Sequence, residues 1–516
     1  MALPQPLHIF RKDLTHLWPE TLFVLLLFVA FAVAAPSGWT GSEYLTYVAI
    51  LAFLLKILMP VSWLVLIARA IQDESLVGDR QFWTSRPYHW AKLLAAKVLL
   101  IVTCIYVPFF LMQVYVLKHA GLHPMLVIPA LLHNLLLLTV VIIIPLAALS
   151  AVTSTFPRVL LAFIGALLYI GIVLGVTFYT TFLQMQSPHL DWLLDAVFII
   201  LPAIALIMQY KTRKTRISRG ILVATPLIAA VLIFLNPANA IIAKSYPVLS
   251  GSSAPVLTGL SEQFHPPTTP TGELVVSRGF VPVALPVGVA NIDKDVNYAV
   301  RGTRVTISGG GVNYTSPFLN AVGTDQFSSG RPVALLNFLM PVAIFNKIRT
   351  TPVDIHLQLA AEQLKAEKPS TWHATLLPFS VPGNGVCSFP SGAANLDAPP
   401  SCRYPLAEPV LSIVTAQVVG QSCANPAAPP TPGQGNLGGK PGIVDFDPVI
   451  TVPLTFRTGD PNPQHNYVLC PGTALNFVEA SPMPNASLVL DQKQVVLDAF
   501  AERYPDPTAK QPAAPQ

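Results

Sequence analysis

The sequence predicts an α-helical polytopic membrane domain of about seven transmembrane helices, followed by an extracytoplasmic, mainly antiparallel β domain of sandwich-like type. Three observations predict this. Of 516 residues, 52% are hydrophobic and 11% charged, whereas an ordinary soluble domain carries about 25% charged residues. The long Leu, Ile, Val and Ala runs all fall before about residue 236. Beyond them the chain becomes rich in Pro and Gly, and short β-branched segments alternate with turn residues, as in antiparallel strands. The expected domains are an interfacial amphipathic helix over 1–20, a transmembrane domain over 21–242, an external β-rich domain over 243–505 and a disordered tail over 506–516.

At the start, Leu7, Phe10, Leu14 and Leu17 recur at helical spacing, with Arg11, Lys12, Asp13 and His16 between them. That pattern predicts a helix lying in the membrane interface, anchored by Trp18. Spans are then expected at 21–35, 45–70, 93–117, 125–151, 159–183 and 192–208, with a last one at 221–242 interrupted by Pro226. Crossing about 30 Å of hydrocarbon takes about 20 helical residues, which these runs approach or exceed.

Loop charge sets the orientation. Arg69, Arg80, Arg86 and Lys92 cluster around the first hinge, and Lys211, Arg213, Lys214, Arg216 and Arg219 follow the sixth span. Short loops rich in Lys and Arg stay in the cytoplasm. The chain is therefore expected in the cell (inner) membrane, multi-pass, with a cytoplasmic N-terminus and the β domain outside. The net charge of +5 does not point to nucleic acid, because the basic residues sit beside apolar runs rather than along one polar face.

In the second part, strands are expected over 274–276, 281–289, 304–308, 371–377, 410–419 and 449–456. A helix is expected at 357–368, because Leu357, Ala360, Ala361 and Leu364 share a helical face. Residues 424–441, with their Pro, Gly and Asn, read as a long loop.

Few residues carry chemical signals. Cys387, Cys402, Cys423 and Cys470 form an even set in the part placed outside, where disulfides are favoured over zinc ligation because no CxxC pair occurs. Four cysteines allow three connectivities, of which sequential pairing is the simplest. Lys56 and Asp195 fall inside predicted spans, as do His133 and Asn134. Such polar groups face other helices or a wet path. Residues 433–440, GQGNLGGK, fail as a phosphate-binding loop, since Gln434 replaces the first Gly and Pro441 follows the Lys. No metal site, cofactor site or catalytic motif is expected, and the chain is not expected to be an enzyme.

The hinge over 73–92, DESLVGDRQFWTSRPYHWAK, adds a resemblance. An interfacial helix, then two spans joined by a loop containing Asp79, Arg80, Phe82, Trp83, Arg86 and Pro87, followed by Leu93, Leu94 and Lys97, resembles the membrane subunits of type-2 ABC exporters. The resemblance covers about the first half of the chain. It implies a permease that works with a separate cytoplasmic ATPase, docks it through this loop and forms a homo- or heterodimer in the lipid membrane. The apparent seventh span and the large external domain depart from the usual six-helix plan. The alternative function is a membrane-anchored envelope binding or sensor protein whose external β domain recognises a ligand.

Overall fold

The computed structural model describes residues 5–36, 45–73, 90–181, 188–234, 238–249, 255–260, 273–276, 279–320, 326–327, 333–373, 377–381, 384–388, 401–406, 413–419, 446–453 and 472–503. The first helix, α1 (Gln5–His16), meets α2 (Trp18–Ala34) at a 77° bend. Leu17 leaves helical geometry there, and Pro19 in the first turn of α2 restarts it, since its fixed φ suits a helix start. The chain continues through α3 (Leu45–Gln72), α4 (Trp90–Ile101), α5 (Val107–His119), α6 (Ile128–Leu138), α7 (Ile144–Val152), α8 (Phe156–Thr181), α9 (Pro188–Thr212), α10 (Thr215–Phe234) and α11 (Ala238–Ser245).

Two of these joints are not breaks. A π-helical turn at Val102–Tyr106 carries α4 into α5, and another at Thr139–Ile143 carries α6 into α7. Among the described residues, Ile50–Gln72, Trp90–His119, Pro124–Val152 and Thr215–Leu232 are long and apolar enough to cross a membrane, and the bent α1–α2 pair passes the same test if taken as one span, for up to five. Shorter apolar helices, Phe156–Tyr169 and Ala196–Thr212, lie where the sequence places the fifth and sixth spans.

The strands are β1 (Val256–Leu260), β2 (Phe280–Ala290), β3 (Val296–Gly309), β4 (Val312–Thr315), β5 (Leu319–Asn320), β6 (Gln326–Phe327), β7 (Val333–Pro341), β8 (Val353–Ala366), β9 (Ser370–His373), β10 (Phe379–Val381), β11 (Gly385–Ser388), β12 (Ser401–Pro405), β13 (Ile413–Val419), β14 (Val449–Pro453), β15 (Ala474–Pro482) and β16 (Ala486–Val495), with a short α12 (Val342–Ile348) after β7. The second part is thus an antiparallel β region, as expected.

The chain divides into two compact units. The first comprises Met1–Gly175, Trp192–Phe234 and Lys368–Glu479; the second comprises Val176–Asp191, Leu235–Glu367 and Ala480–Gln516. In the first, α2, α3, α4, α5 and α7 share a core around Phe28, Phe31, Met59, Trp63, Ile105 and Phe109. The same unit holds a four-stranded antiparallel sheet in the order β10-β11-β12-β14. Val449 of β14 packs with Val116, Leu117 and Leu122 at the end of α5.

In the second unit, β16, β8 and β3 pair antiparallel, and β4, β5 and β6 continue beyond β3. A separate sheet runs β1-β2-β7. Both sheets contribute to one core, with Val283 and Val287 of β2, Phe338 of β7, Ile307 of β3, Leu357 of β8 and Leu488 of β16.

One predicted element is wrong. Residues 357–368 are not a helix, because Val353–Ala366 forms the central strand β8, held by β3 on one edge and β16 on the other. Val353, Ile355, Leu357, Leu359 and Ala361 alternate along one face, the period of a strand. Ala360 and Leu364 are buried as well, and burial on both faces produced the helical spacing. Of the predicted strand at 371–377, β9 covers the part up to His373, residues 374–376 lie outside the described residues, and Leu274 makes only an isolated bridge with Arg503. The expected loop at 424–441 and tail at 506–516 lie outside the described residues.

Candidate coupling site in the helical unit

Ile9 and Asp13 lie one helical turn apart on the buried face of α1, and Leu17 follows one turn later. This face lies on α4, where Leu93, Ala96, Lys97 and Leu100 are buried. Lys97 Nζ donates to Asp13 Oδ2 at 2.7 Å, and both side chains are almost wholly enclosed. Helix α1 is therefore a packed element, and Asp13 belongs to its buried side. Two charges withdrawn from water are tolerable only as a pair.

One further ion pair and one histidine–carboxylate contact close the same end of the helices. Arg69, in the last turn of α3, pairs with Glu20, in the first turn of α2, and each charge complements the dipole of its own helix end. His16 of α1 approaches Asp73, just past α3, at 3.5 Å. The pairs thus join α1 to α4, α2 to α3, and α1 to the end of α3. Both α3 and α4 run directly into residues 74–89. The candidate docking residues Asp79, Arg80, Phe82, Trp83, Arg86 and Pro87 are in that stretch, outside the described residues. A small cavity borders Lys97 between α3 and α4, lined by Leu66, Ile67, Ala70, Ile71 and Leu100.

Deeper in the bundle, the two π-helical turns are linked. Tyr106 Oη lies 2.6 Å from Thr139 Oγ1, and Thr139 Oγ1 donates to the Leu135 carbonyl at 2.7 Å. Threonine has one hydroxyl proton, so Tyr106 is the donor to Thr139. Each turn precedes a proline in the first turn of the next helix, Pro108 or Pro145. Proline offers no N–H to the carbonyl four residues back, and a widened turn accommodates the gap.

Of the predicted intramembrane residues, Asn134 is buried on α6 beside half-buried His133, and Lys56 is half-buried on α3. Asp195 lies on α9, with its side chain outside the described residues. Gln113 on α5 is fully buried and was not singled out from sequence. It lies seven residues beyond Tyr106, a rise of about 10 Å, and Asn134 lies five residues from Thr139 in the antiparallel direction. Polar groups therefore occupy two levels between these helices.

In the small sheet, Cys387 and Cys402 face each other across β11 and β12 and form a disulfide. Cys423 and Cys470 lie outside the described residues. Cys104 is a buried free thiol, to which the Thr21 hydroxyl donates at 3.9 Å. Burial, with Glu479 nearby, pushes the Tyr404 phenol well above its ordinary value, and burial lowers the Arg403 guanidinium. Among the described residues, no group of three His, Cys, Asp or Glu is placed to hold a metal ion. No known protein family, curated protein or solved structure matches the chain.

Proposed function

We propose that the chain is the membrane-spanning permease subunit of an ATP-driven ABC transporter, an exporter that works with a separate cytoplasmic ATPase and a second permease subunit, identical or related. The observation that carries this reading is the buried Asp13–Lys97 pair with its neighbours Glu20–Arg69 and His16–Asp73. They fasten α3 and α4, the helices on either side of residues 74–89, to α1 and α2. A force applied at the loop therefore reaches four helices together, as coupling to an external motor requires.

In this reading the loop docks the ATPase through Phe82, Trp83 and Arg86. ATP binding favours one arrangement of the ATPase pair, and contact through the loop biases the helices between inward-open and outward-open states. The paired π-helical turns at Tyr106 and Thr139 supply a place for α4–α5 and α6–α7 to bend together. About seven spans, a cytoplasmic N-terminus and an external β region complete the arrangement. The test is gentle extraction and purification of the full chain from its native membrane. An ATPase with a phosphate-binding loop should copurify; its absence, with and without prior cross-linking, would favour the membrane-anchored sensor.

A further inference from the structure

Four aromatic rings meet within the helical unit. Phe28 of α2, Trp63 of α3 and Phe109 of α5 are each about 6 Å from the others, with centroid distances of 5.9, 6.0 and 6.0 Å. Trp63 and Phe109 stand nearly perpendicular, at 87°, and make a corner. The ring in that corner comes from far along the sequence: Phe446 lies 5.8 Å from Trp63 and 6.1 Å from Phe109.

The depth of Phe446 is informative. Val449, three residues later, packs at the end of α5 against Val116 and Leu117. Phe109 is seven residues before Val116, about 10 Å deeper along the helix axis. Three residues of extended chain span about the same distance. The irregular segment 446–448 thus descends along the bundle to a level within the apolar span Trp90–His119. Irregular backbone is tolerated at that depth only where protein encloses it or a wet crevice admits it.

Two features distinguish the corner from ordinary core. Trp63 is fully buried, yet its indole N–H has no acceptor among the described residues, which an occupant made only of carbon cannot remedy. Phe446 is only half-buried and immediately precedes residues bonded to the sheet. The Asp447 carboxylate accepts from the Val449 N–H at 3.0 Å, and the Pro448 carbonyl accepts from the Leu406 N–H at 2.7 Å. These bonds hold the start of β14 to its sheet while leaving the Phe446 ring outside the ladder.

We propose that the corner between Trp63 and Phe109 is a binding site for a flat aromatic group bearing a hydrogen-bond acceptor, and that Phe446 is its displaceable occupant. The occupant's ring takes the place of Phe446, and its acceptor meets the Trp63 indole N–H. That such a group belongs to the transported molecule rests on the permease reading; the binding itself does not.

The test uses the full chain in lipid nanodiscs, labelled with 5-fluorotryptophan, with Trp63→Phe assigning the Trp63 fluorine resonance. The probes are quinoline and naphthalene, similar in shape but differing in the acceptor nitrogen, with empty nanodiscs as the partition reference. Quinoline should shift the Trp63 resonance saturably, about fivefold more tightly than naphthalene. Phe446→Ala should tighten both probes at least tenfold by removing the competing ring. In the Trp63→Phe protein, ligand-detected saturation transfer should show naphthalene binding retained and the quinoline preference gone. Phe446→Leu, which keeps apolar volume, should also tighten quinoline and serves if the alanine variant does not fold. Equal binding of the two probes, or no tightening in the Phe446 variants, would overturn the proposal. A failure of ATPase copurification would instead defeat the permease reading and leave this site intact.

Discussion

Lys97 donates to Asp13 across two helices at 2.7 Å, and neither side chain keeps more than 4% of its surface exposed. Removing one partner leaves a buried charge uncompensated, which costs about 3–5 kcal/mol. Lys97→Met should therefore lower unfolding stability in nanodiscs by about that amount. The double variant Asp13→Leu, Lys97→Met should recover most of the loss, because an apolar pair of similar volume needs no desolvation. A double variant as unstable as the sum of its singles would refute this account.

That pair also marks the limit of what the sequence revealed. The amphipathic reading of α1 rested on Leu7, Phe10, Leu14 and Leu17, and it assigned Asp13 to water with Arg11, Lys12 and His16. The buried line through Ile9, Asp13 and Leu17 has the same helical spacing, but its meaning depends on a lysine 84 residues away. Hydropathy located the apolar helices because each run is a local property. It passed over Gln113, one polar residue in an apolar run, and Tyr106 with Thr139, whose signal was two mid-run prolines. In β8, burial on both faces erased the strand period that identified β2 as a strand.

Cys387 and Cys402 are direct partners in the β11–β12 register and are joined. Their sequence separation is 15, and a loop of that size is stabilised by about 3 kcal/mol through restriction of the unfolded chain. Peptide mapping without reduction should recover the linked pair. Replacing both by Ala should lower the stability of this sheet by about that amount; free thiols at both positions in protein from the oxidising compartment would contradict the bond.

Tyr404 is buried in the same sheet with no partner for its hydroxyl among the described residues, and burial holds its phenol above the usual 10.0. The neutral form is favoured in the fold, so near and above pH 10 the folded chain holds a proton that the unfolded chain releases. Stability from this group is full below pH 10 and falls as pH rises from there toward the folded value. Tyr404→Phe should cost little at neutral pH and should reduce the alkaline loss, read by unfolding at a series of pH values with phenolate absorbance. An unchanged alkaline slope would remove Tyr404 as the cause.

The proposed topology puts the basic turn after α9 in the cytoplasm and the β region outside. Ser218 in that turn region is fully buried and would report packing rather than sidedness. Thr212 and Ser308 are exposed. In intact cells an impermeant thiol reagent should label Ser308→Cys and spare Thr212→Cys until the membrane is opened; the opposite pattern would invert the orientation.

The last prediction concerns the 74–89 loop. If Trp83 is the aromatic anchor that docks the ATPase, Trp83→Ala should cost about 2 kcal/mol or more, as buried interface anchors commonly do. That corresponds to about a thirtyfold loss of affinity. Arg86→Ala should weaken docking further by deleting a planar donor able to hold a carboxylate through two bonds. The competing arrangement seats Trp83 in the headgroup layer and leaves Arg86 only to set topology. It predicts lower membrane insertion with ATPase association unchanged. Because Glu20–Arg69 and Asp13–Lys97 fasten the helices on both sides of the loop, the loop variants should leave the unfolding transition of the bundle in place. Pull-down of the ATPase by variants matched for membrane level and unfolding temperature separates the two arrangements. Full retention by the Trp83→Ala, Arg86→Ala double variant would rule out docking through these side chains.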